Sequence, residues 1–318
     1  MKNLVAFILA ILSAILAFVT LRWLTKSREE IDWQDATRPG KMLDVDGVAL
    51  HYIEAGPAKK PAVVMIHGFG GHTFSFRRQL EAFSSGHRCV AIDLKGFGYS
   101  ERPHDGDYSL SAQARLMLGA MDRLGIERAA LVGHSMGGAV VMRMAAAAPE
   151  RVEKLILAAS VSGDRVPFFP RLFFIRPFLP GLSRLIMVRD FGKKMFYDPS
   201  SVDVETIHAT YLAPARLRGS MNTIWQMWGD VPHDPPIDYP AITMPTLILA
   251  AEKERVIPLY ALVLNRLQQH LPHAQVETVE RTGHLLLEEN PAHANELIRA
   301  FLAPQRKAKR REPATATP

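Results

Sequence analysis

Cysteine is almost absent from this chain. Cys89 is the only one, so no internal disulfide can form, no thiolate metal site can be built, and redox chemistry dictates no compartment. A large excess of one charge is missing too: the formal net charge is +6. Much of that excess sits in Arg306, Lys307, Lys309, Arg310 and Arg311, and residues 304–318 read as a basic disordered tail. A solubilising role is the plain reading of this tail, with contact to anionic lipid or nucleic acid as its rival; nucleic acid is not expected as a partner. Low-complexity composition is lacking as well, since 48% apolar and 22% charged residues describe a folded globular chain. Its 318 residues leave room for one large α/β domain with an insertion.

Charge is missing again between Asn3 and Leu21, where Leu4, Val5, Phe7, Ile8, Leu9, Ile11, Leu12, Ile15 and Leu16 supply an apolar run about as long as a bilayer requires. No A-x-A cleavage pattern follows it, so residues 3–24 are expected to be an uncleaved N-terminal transmembrane helix rather than a signal peptide. The lipid bilayer is thereby an expected partner. Lys2 precedes the run, whereas Arg22, Lys26 and Arg28 follow it, which points the remaining chain toward the cytoplasmic face of a single-pass anchor. Residues 25–40 read as a polar linker.

Beyond residue 40 the chain has the rhythm of an α/β domain. Asp46-Gly47 between Lys41–Val45 and Val48–Glu54 is a hairpin signal. Ala62–Ile66 and Cys89–Ile92 are short apolar runs without alternation, as in strands covered on both faces of a parallel sheet. Leu116, Met117, Ala120, Met121 and Leu124 fall at helical spacing, Ala129–Val132 reads as a strand, and Met136–Ala148 as a helix stopped by Pro149. Further strands are expected at Lys154–Ala158, Pro245–Ala250 and Ala274–Val279, with a closing helix over Pro291–Leu302. The alternation predicts a mostly parallel central sheet flanked by helices over residues 41–160 and 240–303. Residues 161–239 break the rhythm and are too long for a loop, so a helical cap is expected there. It opens with Val166, Phe168, Phe169, Leu172, Phe173, Phe174, Ile175, Phe178 and Leu179. These form either the insert's own core or an apolar lid lining an acyl pocket or meeting a bilayer.

Gly133-His134-Ser135-Met136-Gly137 matches G-x-S-x-G directly after one expected strand and before an expected helix. The glycines permit a sharp turn that presents the Ser135 hydroxyl at its apex. Serine needs an adjacent base to act as a nucleophile. Of twelve histidines, His284 follows the last strand, at the carboxyl edge of the sheet where Ser135 emerges.

With His67-Gly68-Phe69-Gly70-Gly71, the stretch Asp93 to Ser100, Gly133 to Gly138, and Gly283-His284, the chain from about Lys41 to Leu302 resembles the α/β-hydrolase superfamily, in its cap-bearing branch of esterases, lipases and carbon-carbon bond hydrolases. The resemblance implies an oxyanion hole at the backbone N–H groups of Met136 and Phe69. It implies a triad acid at Glu254, with Asp164 and Glu252 as alternatives. Asp93 and Arg102 take structural roles, because Asp93 precedes Ser135 whereas the family order is nucleophile, acid, histidine.

Serine in place of aspartate at the elbow argues against the alkyl-enzyme chemistry of dehalogenases and epoxide hydrolases in similar capped enzymes, and for an acyl-enzyme. The expected substrate is a lipophilic carboxylic ester, as for an esterase or lipase. Two alternatives stand: carbon-carbon bond cleavage by the same triad, and a catalytically silent binding protein on the same fold. Gly68, Gly70 and Gly71 lack the lysine and serine of a phosphate-binding loop, and no residue pattern calls for a metal, nucleotide or flavin; no cofactor is expected.

Overall fold

The computed structural model of the chain describes residue 13, residues 29–163, 194–201, 203 and 210–304. Eight strands form one sheet: β1 (Lys41–Val45), β2 (Val48–Ala55), β3 (Ala62–Ile66), β4 (Arg88–Ile92), β5 (Ala129–His134), β6 (Val152–Ala158), β7 (Thr246–Ala251) and β8 (Gln275–Val279). Their order is β1-β2-β4-β3-β5-β6-β7-β8. The β1–β2 and β2–β4 pairings are antiparallel and the rest parallel. The first hairpin closes at Asp46 and Gly47, both at positive φ (53° and 80°), which suits the twist of a two-residue turn.

The described helices are α1 (Arg77–Phe83), α2 (Leu110–Arg123), α3 (Met136–Ala147), α4 (Ser220–Asp230), α5 (Tyr260–His270), α6 (Leu286–Glu289) and α7 (Pro291–Leu302). Each central strand sends alternate side chains to opposite faces. Val64, Ile66, Val90, Ile92 and Leu131 join Met117 and Met121 of α2, Val140 and Met144 of α3 and Leu267 of α5 in one cluster. Val63, Met65, Cys89, Ala91 and Val132 join Phe76, Leu80 and Phe83 at α1 and Ala294 and Ile298 of α7 in another. Continuous apolar runs are the consequence of this two-sided cover. Cys89 is buried in the second cluster, and burial pushes its thiol up to about 12, so it is an inert packing group.

The membrane location expected from the sequence requires correction. Among the described residues no helix is long and apolar enough to cross a membrane. The longest, α2, has 14 residues, or about 21 Å against the roughly 30 Å of a hydrocarbon core, and it carries Gln113, Arg115, Asp122 and Arg123. The stretch 3–24 lies outside the described residues apart from Ser13. The transmembrane helix, the bilayer as partner and the cytoplasmic face of a single-pass anchor are not carried further. The phenylalanine-rich stretch of the insert and the tail from residue 305 onward also lie outside the described residues.

Between β6 and β7 the described residues carry α4 and short single turns. This region is tied to the rest of the domain by side-chain hydrogen bonds, accepted by Asp234 and donated by Arg102. Asp234 accepts from Leu110 N at 2.7 Å and Ser111 N at 3.2 Å, meeting the open donors of the α2 N-terminus, and it faces the buried Arg143 at 3.8 Å. Arg102 donates to Ser100 O, Gly98 O, Pro214 O and Ser220 Oγ, joining the loop after β4 to the start of α4. Residues 29–33, within the stretch read as a linker, are held here too. Glu30 N donates to Arg216 O at 2.9 Å, Arg218 N to Ile31 O at 3.0 Å, and Met221 N to Glu29 Oε1 at 2.6 Å.

Candidate active site

Strand β5 ends and α3 begins with no intervening loop, and the reversal falls on Ser135, at φ 54° and ψ −118°. A left-handed, non-glycine backbone of this kind costs about 1–3 kcal/mol and persists only where its surroundings enforce it. Close approach enforces it here. A Cβ at Gly133 would come 2.5 Å from Gly137 O, one at Gly137 would strike Ile66 O and His67 O, and one at Gly138 would overlap Ser160 Oγ. Ser135 N donates to Ala158 O at 3.0 Å, which ties the turn to β6. The Phe69 loop lies against the same turn: a Cβ on Gly68 would sit 2.9 Å from Ser135 Cβ. His67 fixes this loop, its Nδ1 donating to Gly68 O at 2.7 Å while its Nε2 accepts Leu94 N at 3.0 Å. Burial holds His67 below the ordinary histidine value, so it is neutral, as these two bonds require.

His284 is buried on the loop after β8, and its Nδ1 lies 2.8 Å from Glu254 Oε2. Glu254 sits on the loop after β7, where its other oxygen accepts Val256 N at 2.7 Å and Ile257 N at 3.1 Å. Burial alone would raise the Glu254 carboxyl, but the bond and charge of His284 and the two backbone donors outweigh it and hold the group below the usual range. An anion beside Nδ1 leaves Nε2 as the imidazole's free basic position. Of the three carboxylates weighed for this place, Glu252 is exposed and accepts Arg281 N at 2.7 Å, and Asp164 lies outside the described residues.

His284 reaches the elbow through the neighbour of Ser135. His134 Nε2 pairs with His284 O at 2.9 Å, and the two rings lie 4.9 Å apart. Burial, with the nearby His284, pushes His134 down to about 3, so it is neutral and its Nε2–H donates. No hydrogen bond joins Ser135 Oγ to the His284 ring, a link that often tightens only when substrate is bound. Phe69 and Phe97 meet edge to face at 5.6 Å, and Phe69, Met136 and Val161 continue the apolar cluster at this end of the sheet.

One structural role was read from the sequence in outline only, and one feature escaped it. Asp93 is a buried hub that accepts Thr73 N at 2.6 Å, Tyr99 N at 2.8 Å and His51 Nδ1 at 2.7 Å. It holds together the loops following β3 and β4, and its order in the chain had pointed only to a structural role. Glu289 accepts backbone N–H groups from the His284 loop and from the insert. Its position five residues after His284 was the sole signal, and spacing alone does not say which amides a carboxylate meets.

A model of the α/β hydrolase fold matches residues 61–184. A 2-hydroxy-6-oxononadienedioate/2-hydroxy-6-oxononatrienedioate hydrolase of a Pseudomonas species is 31% identical over 272 residues, covering 80% of this chain and 92% of that protein. Epoxide hydrolase 3 of Xenopus tropicalis is 29% identical over 280 residues, covering 80% of this chain and 75% of that one. Among solved structures, a membrane phospholipase A described as a bacterial virulence factor superposes with a TM-score of 0.67 at 25% identity, covering 95% of this chain and 98% of that one. With the sheet order, the strained serine turn and a relative at this identity over most of its length, the chain is a hydrolase that belongs to the α/β-hydrolase fold family.

Proposed function

We propose that the chain is a serine hydrolase that cleaves a lipophilic carboxylic ester through an acyl-enzyme on Ser135. One observation carries this reading: a serine, not a carboxylate, occupies the strained turn at φ 54°, beside a buried Glu254–His284 pair at 2.8 Å. In this reading His284 Nε2 takes the Ser135 proton as Oγ attacks the ester carbonyl carbon. Glu254 holds the imidazole by Nδ1–H and stabilises its cation. The N–H groups of Phe69 and Met136 stabilise the tetrahedral oxyanion, a donor pair of which each member is worth about 3 kcal/mol. His284 then returns the proton to the departing alkoxide, and water repeats the sequence on the acyl-enzyme. Residues 161–239 act as the cap over this site. The apolar side chains of Phe69, Phe97 and Met136 support an apolar acyl group, and the similarity to a phospholipase A agrees with ester cleavage.

A second reading, carbon-carbon bond cleavage by the same three residues, is favoured by the 31% identity to the Pseudomonas enzyme. The full-length chain should be assayed on p-nitrophenyl esters of rising chain length and on a vinylogous 2-hydroxy-6-oxo-dienoate. Ester turnover reduced to background by Ser135→Ala and by His284→Ala, with a longer-chain optimum, supports the ester reading. Turnover of the dienoate alone moves the proposal to the second reading. Silence on both, with no fluorophosphonate label on Ser135, leaves a binding protein on a hydrolase fold.

A further inference from the structure

Glu289 stands outside the Glu254–His284 pair, at the end of the short helix α6, yet none of the amides it accepts belongs to that helix. Its Oε2 accepts Gly283 N at 2.7 Å and Tyr197 N at 2.9 Å, and its Oε1 accepts Asp198 N at 2.8 Å. Gly283 precedes His284, whereas Tyr197 and Asp198 belong to the insert. One carboxylate therefore fastens the histidine loop to the insert through three charge-assisted bonds.

Four further contacts mark the same seam. Leu285 N donates to Met195 O at 3.2 Å. A Cβ on Gly283 would lie 2.6 Å from Met195 O and 2.8 Å from Tyr197 N, so the glycine beside His284 is required by the insert's approach. Lys253 Nζ lies 4.8 Å from the centre of the Tyr197 ring, which brings the loop of Glu254 to the same segment. Phe196 and Leu285 close the seam as a buried pair.

We propose that Glu289 is a positioning residue of the reaction: it locks the His284 loop to the insert segment 195–198, so that the imidazole keeps one place and the insert's position is felt at the catalytic base. This rests on the reading of His284 as that base. A carboxylate suits the task because both oxygens accept; a carboxamide of the same shape would turn an N–H₂ group toward one set of donors.

The test is Glu289→Gln in the full-length chain, beside wild type and His284→Ala, with two readouts. Hydrogen exchange should show the Gly283, Tyr197 and Asp198 amides losing protection together. Turnover per folded molecule and the rate of fluorophosphonate labelling of Ser135 should both fall about ten- to a hundred-fold, the scale of a misplaced catalytic group. A merely structural residue would lower the unfolding midpoint and leave both rate constants within about two-fold, and that result overturns the proposal. Should the variant not fold, native-state exchange of the wild type decides: one common opening free energy for the three amides is expected, and independent opening overturns the clamp. If ester turnover proves independent of His284, the reaction assigned above fails, while the exchange data still judge the clamp.

Discussion

Glu254 is the residue at which charge and geometry can be separated by one atom. Glu254→Gln keeps the size and an acceptor for the Val256 and Ile257 amides, but removes the anion that selects the Nδ1–H form of His284. A loss of about 10⁴-fold in kcat is expected on a reacting ester, by the measure of aspartate-to-asparagine changes in serine triads. Stability should respond to pH with a definite sign. The Glu254 carboxyl is held below its ordinary value in the folded chain, so its contribution is present above the unfolded carboxylate range and is lost as pH falls through the depressed folded value. Urea midpoints followed from about pH 7 down to about pH 3 should fall more steeply for wild type than for Glu254→Gln. Equal slopes would mean that the carboxylate gains nothing from His284.

At the scale of elements, the loops after β3, β4, β7 and β8 all converge on the end of β5, because parallel strands put their carboxyl ends at one edge of the sheet. Side chains outside the chemistry hold the insert against that edge. Asp234 shows how magnitudes sort two roles. As a helix cap alone it is worth about 1 kcal/mol, whereas stripping the charge that faces buried Arg143 costs about 3–5 kcal/mol. Both groups are buried, at 5% and 8% exposure, so the second effect should win. Asp234→Asn, which retains an oxygen for Leu110 N, is expected to lower the unfolding free energy by about 3 kcal/mol or more; a loss near 1 kcal/mol would reduce the residue to its capping role. The ion pair of Arg216 with Glu30, more than half exposed on both sides, is expected to contribute little. The backbone bonds of Glu30 and Arg218 carry the hold on residues 29–33.

For the whole molecule, two separate apolar clusters grip one sheet, and the site lies at its edge rather than inside either cluster. Met117→Ala, in α2 at 0% exposure, should cost about 2–5 kcal/mol in stability with kcat per folded molecule unchanged; a matching fall in kcat would show that core packing reaches the elbow. The strands, the helices α2, α3 and α7, the serine turn and His284 were legible in the sequence because each rests on local patterning: apolar runs, helical spacing, and glycines around Ser135. Helices α1, α5 and α6 passed unread, being short or weakly patterned, and Leu259 and Leu262 at the start of α5 stay largely exposed. The membrane location inferred from an uncharged N-terminal run fell with the absence, among the described residues, of any helix able to cross a membrane. By itself the sequence determined the alternating strand and helix order, the serine on its strained turn and the histidine at the far end of the chain, since short-range sterics and burial pattern suffice for these. Only the tertiary structure decided which carboxylate meets His284, that Asp93 gathers two loops and strand β2, and that Glu289 joins the histidine loop to the insert, because hydrogen-bond partners far apart in the chain are selected by how the sheet folds.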